Sequence, residues 1–537
     1  MNRRQFVGTS AAAIAAGALS TTYADEPSGG TLYNGIKLPS VWPPKWKELP
    51  AKPVMPPYLE SPPAIIPIDL GRQLFVDDFL IEHSTLKRIF HQPREHKDNP
   101  LLRPDQPWEQ VGASPMAMPF SDGVWYDPKD RLFKMWYMGG YGQAVCLAFS
   151  EDGVRWTKPK FDVKKGANIT HPGPRDSATV WLSSHERDPK RRFVLFRSHS
   201  DGKRFGQSLH FSPDGIHWSD RILHTGSTGD RTTAFYNPFR KVWVYSIRHG
   251  WGLPRRRRYW ETTDLVKGPM WNAIDEPGMW IGSDSLDHQR DDLKTVPQLY
   301  NLDCVAYESL LLGMFSIWRG DKNIPAGRPK PNDICLGFSR DGFYWDRPDR
   351  RAFIGVSEKP GDWNWGNVQS VGGCCLVVGD ELWFYHSGRA GSPGGKGNRD
   401  AGGAAGLAVL RRDGFASLDA GEQGGAVTTR PLQFKGKHLF VNADAKDGEL
   451  TAEVLDRNDR VVAGFAKSDC IACRADRTKQ RLAWKKGELN AVAGTPVKFR
   501  FRLKNARMYA FWVSSGESGA STGFVAAGGP GLTDRDA

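Results

Sequence analysis

Carboxylates set beside arginines at the start of aromatic stretches are the residues of this chain most able to do chemistry. Asp176 follows Arg175 in Gly173-Pro174-Arg175-Asp176-Ser177, and Asp230 precedes Arg231 in Thr228-Gly229-Asp230-Arg231-Thr232. Asp303 and Glu308 share the run Asn301-Leu302-Asp303-Cys304-Val305-Ala306-Tyr307-Glu308, and Asp98 stands upstream in Asp98-Asn99-Pro100-Leu101-Leu102, ahead of Trp108-Glu109. Several carboxylates in one pocket push their pKa values apart, so that one stays protonated while another stays ionised. Cleaving a glycosidic bond needs that pairing: an acid for the leaving oxygen and a base or nucleophile on the other face. An arginine next to an acid also makes an ordinary salt bridge, and both readings apply at Asp176 and Asp230.

A repeat would bring these acids together. Ser-x-Asp-Gly-x-x-Trp is written three times, at Ser150–Trp156, Ser212–Trp218 and Ser339–Trp345, each time closing an aromatic, β-branched stretch. Asp-Gly makes a hairpin turn, because Gly takes positive φ without penalty and Asp caps the turn's amides. Weaker copies stand at Thr262-Thr263-Asp264 and Arg412-Asp413-Gly414-Phe415, for five in all. Ser150 and Ser212 are 62 residues apart, and Ser339 and Asp413 are 74 apart. Units of that size hold four strands and their loops, the signature of propeller blades. The first strand of each blade lines the axis, so residues that open successive blades converge there.

The chain has 537 residues, 39% hydrophobic and 25% charged, enough for one large core and a smaller second one. Twenty Trp and 27 Phe suit strands and sugar-stacking surfaces. Trp125, Trp181 and Trp365 are candidates for such stacking, with core packing the commoner role. The seven cysteines are odd in number and do not form a disulfide framework; packed thiols are expected, with Cys470 and Cys473 spaced for a local disulfide. No zinc-protease, phosphate-loop or nucleophile-elbow motif occurs, so neither metal nor cofactor is expected. Outside the extreme N-terminus no apolar run is long enough to span a membrane.

The expected fold is all-β: a five-bladed β-propeller followed by a small C-terminal β-sandwich. Residues 1–24 carry Asn2-Arg3-Arg4-Gln5-Phe6 and a mild Ala-rich stretch, and they resemble a twin-arginine export signal, which places the mature protein in the periplasm or outside the cell. Residues 25–67 are Pro-rich and extended, and 68–427 make the propeller. Residues 428–513 alternate apolar with charged, as half-exposed antiparallel strands do, and make the sandwich. Residues 514–537, dominated by Gly, Ser and Ala, are expected to be disordered.

At Arg175-Asp176, at Asn99-Pro100-Leu101-Leu102 and in the blade count, residues 70–420 resemble the five-bladed β-propeller glycoside hydrolases, families 32, 43, 68 and 130. The sequence departs from them at Ser177, where the fructan-active families have Pro, and at Asp230, where a Glu is usual. The resemblance implies three axial acids: Asp176 as the charge that holds the sugar, Asp230 as base or nucleophile, and Glu308 as proton donor. Asp98 is the reserve acid, and Asp98, Arg175, Arg231 and Tyr307 are the candidate sugar contacts. The expected function is an exported glycoside hydrolase acting on a poly- or oligosaccharide.

Two other classes compete. A propeller can bind glycans without turning them over. The Asp-Gly turn also occurs in sialidase-like hydrolases, which need six blades and three axial arginines. The run Arg255-Arg256-Arg257-Arg258-Tyr259-Trp260 is read as a loop after the third blade's central strand, either solvated or facing an anionic polysaccharide. Nucleic acid is not an expected partner of an exported protein.

Overall fold

The computed structural model describes residues 29–249, 254–320, 323–533 and 535–536. The export signal expected at 1–24 lies outside the described residues. Strands make up nearly all the regular structure, and among the described residues the one α-helix is the short Pro57–Glu60. No described helix is long and apolar enough to cross a membrane.

Five antiparallel sheets follow one another from residue 117 to residue 411. The first contains Leu132–Gly139, Ala144–Ser150 and Ile169–His171, with an inner strand interrupted between Ala117–Met118 and Val124–Asp127. The second runs Ala178–Leu182, Phe193–Ser200, Phe205–Ser212, Leu223–His224, and the third Thr233–Asn237, Val242–His249, Arg256–Thr262, Gly278–Gly282. The fourth is built on Gln298–Glu308, Leu310–Trp318 and Asn332–Ser339, and the fifth on Asn367–Gln369 with Leu376–Val378, Glu381–Arg389 and Gly403–Arg411. Arg94–Glu95, from before the first sheet, adds the outer strand of the fifth.

Hydrogen bonds pass from each sheet to the next. Trp125 donates to the Val180 carbonyl at 2.9 Å, Ser177 to the Thr232 carbonyl at 3.2 Å and Thr233 to the Leu302 carbonyl at 2.6 Å. The Val371 amide donates to Asp303 at 3.0 Å, and the Phe120 amide to the Ser387 hydroxyl at 2.7 Å. These link first to second, second to third, third to fourth, fourth to fifth and fifth back to first, so the series closes on itself over one shared core.

The Asp-Gly turns clamp neighbouring sheets together. In each copy the Ser hydroxyl accepts the Gly amide at 2.8–2.9 Å, and the Asp carboxylate accepts the next two amides. With φ of +75°, +80° and +87°, Gly153, Gly215 and Gly342 present bare backbone to the preceding sheet. Tyr385 donates to the Gly153 carbonyl at 2.7 Å and Trp136 to the Gly215 carbonyl at 2.9 Å. A Cβ on Gly215 would lie 2.5 Å from the Trp136 ring, and one on Gly342 would lie 2.4 Å from the Asn237 amide.

The terminal segments build a second body with its own core, including Phe75, Phe79, Val427, Phe434, Phe499 and Phe511. A six-stranded sheet joins Asp476–Leu482, His438–Asp444, Ala506–Ser514, Ala416–Ala420, Lys87–Phe90 and Gln73–Leu74; a four-stranded one joins Ile81–Ser84, Gly425–Thr429, Lys498–Lys504 and Glu449–Leu455. Three expected boundaries are therefore corrected, the first being the end of the 68–427 unit, since Ala416–Ala420 and Gly425–Thr429 pair within this second body. The strands of residues 73–90 belong to this body and not to the five sheets, because they pair in its two sheets and Phe75, Phe79, Leu80 and Ile81 fill its core. The tail is not disordered: Phe524–Val525 pairs with Tyr307 and Glu308 at the edge of the fourth sheet. Residues 29–67 hold the helix Pro57–Glu60 and otherwise little regular structure, and lie against both bodies through the Trp46–Met279 bridge and the pairing of Ile66–Pro67 with Leu432–Gln433. All seven cysteines are buried and free, so Cys470 and Cys473 make no disulfide. The basic face of Lys498–Lys504 is salt-bridged, Arg502 to Glu453 at 2.8 Å and Lys498 to Glu82 at 2.6 Å.

Candidate active site

The mouths of the five inner strands meet at one polar centre. Asp176 lies just before Ala178–Leu182, and Asp230 and Arg231 just before Thr233–Asn237. The Arg231 amide donates to Asp176 at 3.2 Å and its guanidinium comes within 3.6 Å of the same oxygen. Asp230 pairs with Arg248 at 3.0 Å and with Arg255 at 3.7 Å. Both carboxylates reach solvent, Asp176 at 30% and Asp230 at 33% side-chain exposure, in surroundings that are otherwise buried.

The fourth sheet contributes Asn301 and Asp303. Asn301 donates to Ser121 of the first sheet and Ser370 of the fifth, both at 3.1 Å, and to Asp303 at 2.8 Å. Asp303 is buried, and that burial raises its carboxyl to about 6 against the pull of its hydrogen bonds and of Arg257. Arg257 lies between the acids: Asp230 and Asp303 both hold its charge, while burial lowers its pKa to about 9. Burial likewise raises Asp122 to about 6, but Arg175 grips both its oxygens, at 2.9 and 2.8 Å, with both side chains fully buried.

Three non-glycine residues here hold left-handed backbone: Phe120 at φ +42°, Arg231 at +56° and Ser370 at +63°. They come from the first, third and fifth sheets and surround the same centre. Each such residue costs about 1–3 kcal/mol, which persists where surrounding structure over-determines it and which clusters at functional sites. The Arg231 guanidinium lies over the Phe120 ring at 4.4 Å, and Arg389 approaches Phe120 and Tyr141 at 5.8 and 5.2 Å.

Of the expected acids, Asp176 and Asp230 are brought together and Glu308 is not. Glu308 ends the inner strand Gln298–Glu308, five residues beyond Asp303 and so about 16 Å further along it, on the opposite sheet face. It is fully buried between Arg72 at 3.4 Å and Arg412 at 3.2 Å, and accepts from Ser521 at 2.7 Å. Tyr307 is buried too and donates to Asp413 at 2.5 Å, so it cannot touch a sugar. This ionic cluster, to which Arg72 adds Asp413 at 2.8 Å, bolts the blade sheets to the second body and accounts for the weak repeat at Arg412-Asp413-Gly414-Phe415.

The remaining candidates also move. Arg175 is sealed against Asp122 and offers nothing to a substrate. Asp98 is exposed at the outer edge of the fifth sheet, away from the centre, with His96 3.9 Å away. Its neighbour Asn99 is structural, exchanging hydrogen bonds with both backbone groups of Leu407 at 2.8 and 2.9 Å. Arg231 does face the site. Trp125, Trp181 and Trp365 are buried in the core.

The arginine run is a strand, not a loop. Arg256–Thr262 is the third strand of its sheet, and its alternation sends Arg257 inward to Ser246 at 2.9 Å and Arg258 to the Pro277 carbonyl at 2.6 Å, leaving Arg255 at the site. Arg248 and Arg389 carried no signal in the sequence, and Arg255 stood out there only as the first residue of the arginine run.

No family model and no curated protein matches this chain. Among solved structures it is similar to a thermostable family-43 glycoside hydrolase, at 12% identity and a TM-score of 0.39 over 58% of this chain and 95% of that one. It is also similar to the β-1,2-mannobiose phosphorylase of Listeria innocua, at 10% identity and 0.41 over 60% and 97%. A glycosyl hydrolase from Bacteroides ovatus matches at 13% identity and 0.38 over 60% and 94%. Likenesses this distant do not bear on the chemistry, which the site's own geometry has to carry.

Proposed function

We propose that the closed series of sheets is a five-bladed β-propeller carrying an accessory β-sandwich, and that the protein is an exported glycoside hydrolase with its active site at the propeller axis. The observation that supports this is the placing of two solvent-reaching carboxylates, Asp176 and Asp230, at the mouths of adjacent inner strands about the Arg231 guanidinium. Asp230, paired with Arg248 and Arg255, acts as base toward water or as nucleophile at the anomeric carbon. Asp176 holds the sugar and orients Arg231. Asp303 replaces Glu308 as the proton donor in this reading: burial raises its carboxyl to about 6, so it retains a proton into the weakly acidic range, and it reaches the leaving glycosidic oxygen where substrate displaces the Asn301 amide that covers it at 2.8 Å.

The test is release of reducing ends from a panel of plant, fructan and algal polysaccharides by the wild type and by Asp230→Asn, Asp176→Asn and Asp303→Asn. Each substitution keeps shape and removes charge or proton, so turnover falls by roughly 10²–10⁴ while the fold survives. Wild-type turnover in Asp230→Asn would overturn the assignment. A second reading, a glycan-binding propeller without turnover, is favoured by the arginine facing each Asp230 oxygen. Binding of a panel glycan without release of any product would select it.

A further inference from the structure

Three arginines face two acids at this site. Arg231, Arg248 and Arg255 reach Asp176 or Asp230 at 3.6, 3.0 and 3.7 Å where the site meets solvent. Arg389 is balanced by Asp400 at 2.9 Å.

Arg231 is the most telling of the three. Its side chain is 4% exposed, and its Nη1 is buried with no hydrogen-bond partner, while the guanidinium plane rests on Phe120. Arg255 repeats the arrangement: it lies over Tyr300 at 4.3 Å, is 18% exposed, and has a buried Nη1 whose nearest acid is the distant Asp230 oxygen. Buried N–H groups left unpaired on a charged side chain are costly, more so than on a neutral one. Each guanidinium carbon lies over an aromatic ring, at 4.4 Å for Arg231 and 4.3 Å for Arg255, which restricts where its N–H donors can point. A fixed guanidinium edge offers two parallel donors, the geometry that carboxylate and sulfate accept bidentately. A neutral hydroxyl has one oxygen and cannot accept both parallel donors of a guanidinium as a carboxylate or sulfate does.

We propose that the site selects an anionic sugar, with Arg231 and Arg255 binding the carboxylate of a uronic acid or a sulfate ester beside the Asp176–Asp230 pair. The proposal rests on the carbohydrate reading above. It uses one residue of the arginine run, Arg255, because Arg257 and Arg258 are committed to internal carbonyls and Ser246.

A glycan array carrying neutral, uronate-bearing and sulfated glycans, probed with the full chain, separates the outcomes. Wild type should bind acidic glycans, and whether the signal falls on uronates or sulfates identifies the anion. Arg231→Gln and Arg255→Gln should each weaken it by about tenfold or more, as expected for a lost charge-assisted hydrogen bond. Arg231→Lys should keep part of the signal. Should Arg231→Gln fail to fold by circular dichroism, Arg255→Gln carries the test. Binding confined to neutral glycans, or acidic binding unchanged in the folded Gln variants, overturns the anion proposal and leaves the carbohydrate reading standing. No binding to any glycan overturns both.

Discussion

Asp303 sets chemistry against stability within one side chain. Its folded pKa, about 6, lies above the ordinary carboxylate value of 3.8, so the folded state binds the proton more tightly than the unfolded chain does. Below the unfolded value both states are protonated and nothing is lost. As pH rises through the interval between the two values the unfolded chain gives up its proton first, and above about 6 the full penalty, about 2–3 kcal/mol, applies. Asp303→Asn, which cannot ionise, should therefore raise the melting temperature at pH 7.5 and leave it nearly unchanged at pH 4, while losing turnover on unactivated glycosides. Melting curves at the two pH values check the first claim. An equal shift at both would mean that packing, not ionisation, is what the substitution changes.

The repeated turn works as an element through its glycine. Ser and Asp close the turn locally, and the absence of a Cβ lets the neighbouring sheet come up against its backbone. Gly215→Ala combines a left-handed φ of +80° with a Cβ 2.5 Å from Trp136, so it should destabilise by about 1–3 kcal/mol. An exposed left-handed glycine with nothing near its Cβ, Gly166 at φ +82°, is the control and should lose less. Urea denaturation of the two variants compares them directly. Equal losses would show that backbone strain alone, and not the clamp on Trp136, sets the role of the turn.

At the level of the whole molecule, the two bodies are held by an ionic knot that draws on distant parts of the chain. Arg72 comes from the N-terminal segment, Glu308 from the fourth sheet, Arg412 and Asp413 from the end of the fifth, and Ser521 and Asp536 from the tail. Glu308 is buried, and removing partners from a buried ion cluster leaves uncompensated charge. Truncation after Ser514 removes Asp536, Ser521 and the strand Phe524–Val525 together, and should cost at least about 3 kcal/mol of unfolding free energy. A denaturation midpoint equal to that of the full chain would show that the tail contributes nothing. A fragment of residues 68–427 would be worse placed, since the strands between 73 and 90 would have lost the sheets that bury them.

What the sequence determined by itself is the repeating unit. Asp-Gly turns, aromatic strands and period-two alternation are encoded within a few residues of one another, and each survived as a turn or strand where it was expected. The placing of Asp176 and Asp230 together was legible for the same reason, since each sits directly before an inner strand. Glu308 is misplaced by local pattern alone, because nothing within a few residues of it marks it as a strand end. It closes a long strand, and an offset of five residues from Asp303 changes both the end and the face. Only the tertiary structure decided which arginines reach the centre, that Arg175 is sealed against Asp122, and that the Gly-rich tail returns to pair with the fourth sheet. These depend on register and on contacts between residues hundreds of positions apart, such as Arg72 with Asp413 or Glu308 with Ser521, and no local pattern in the chain specifies them.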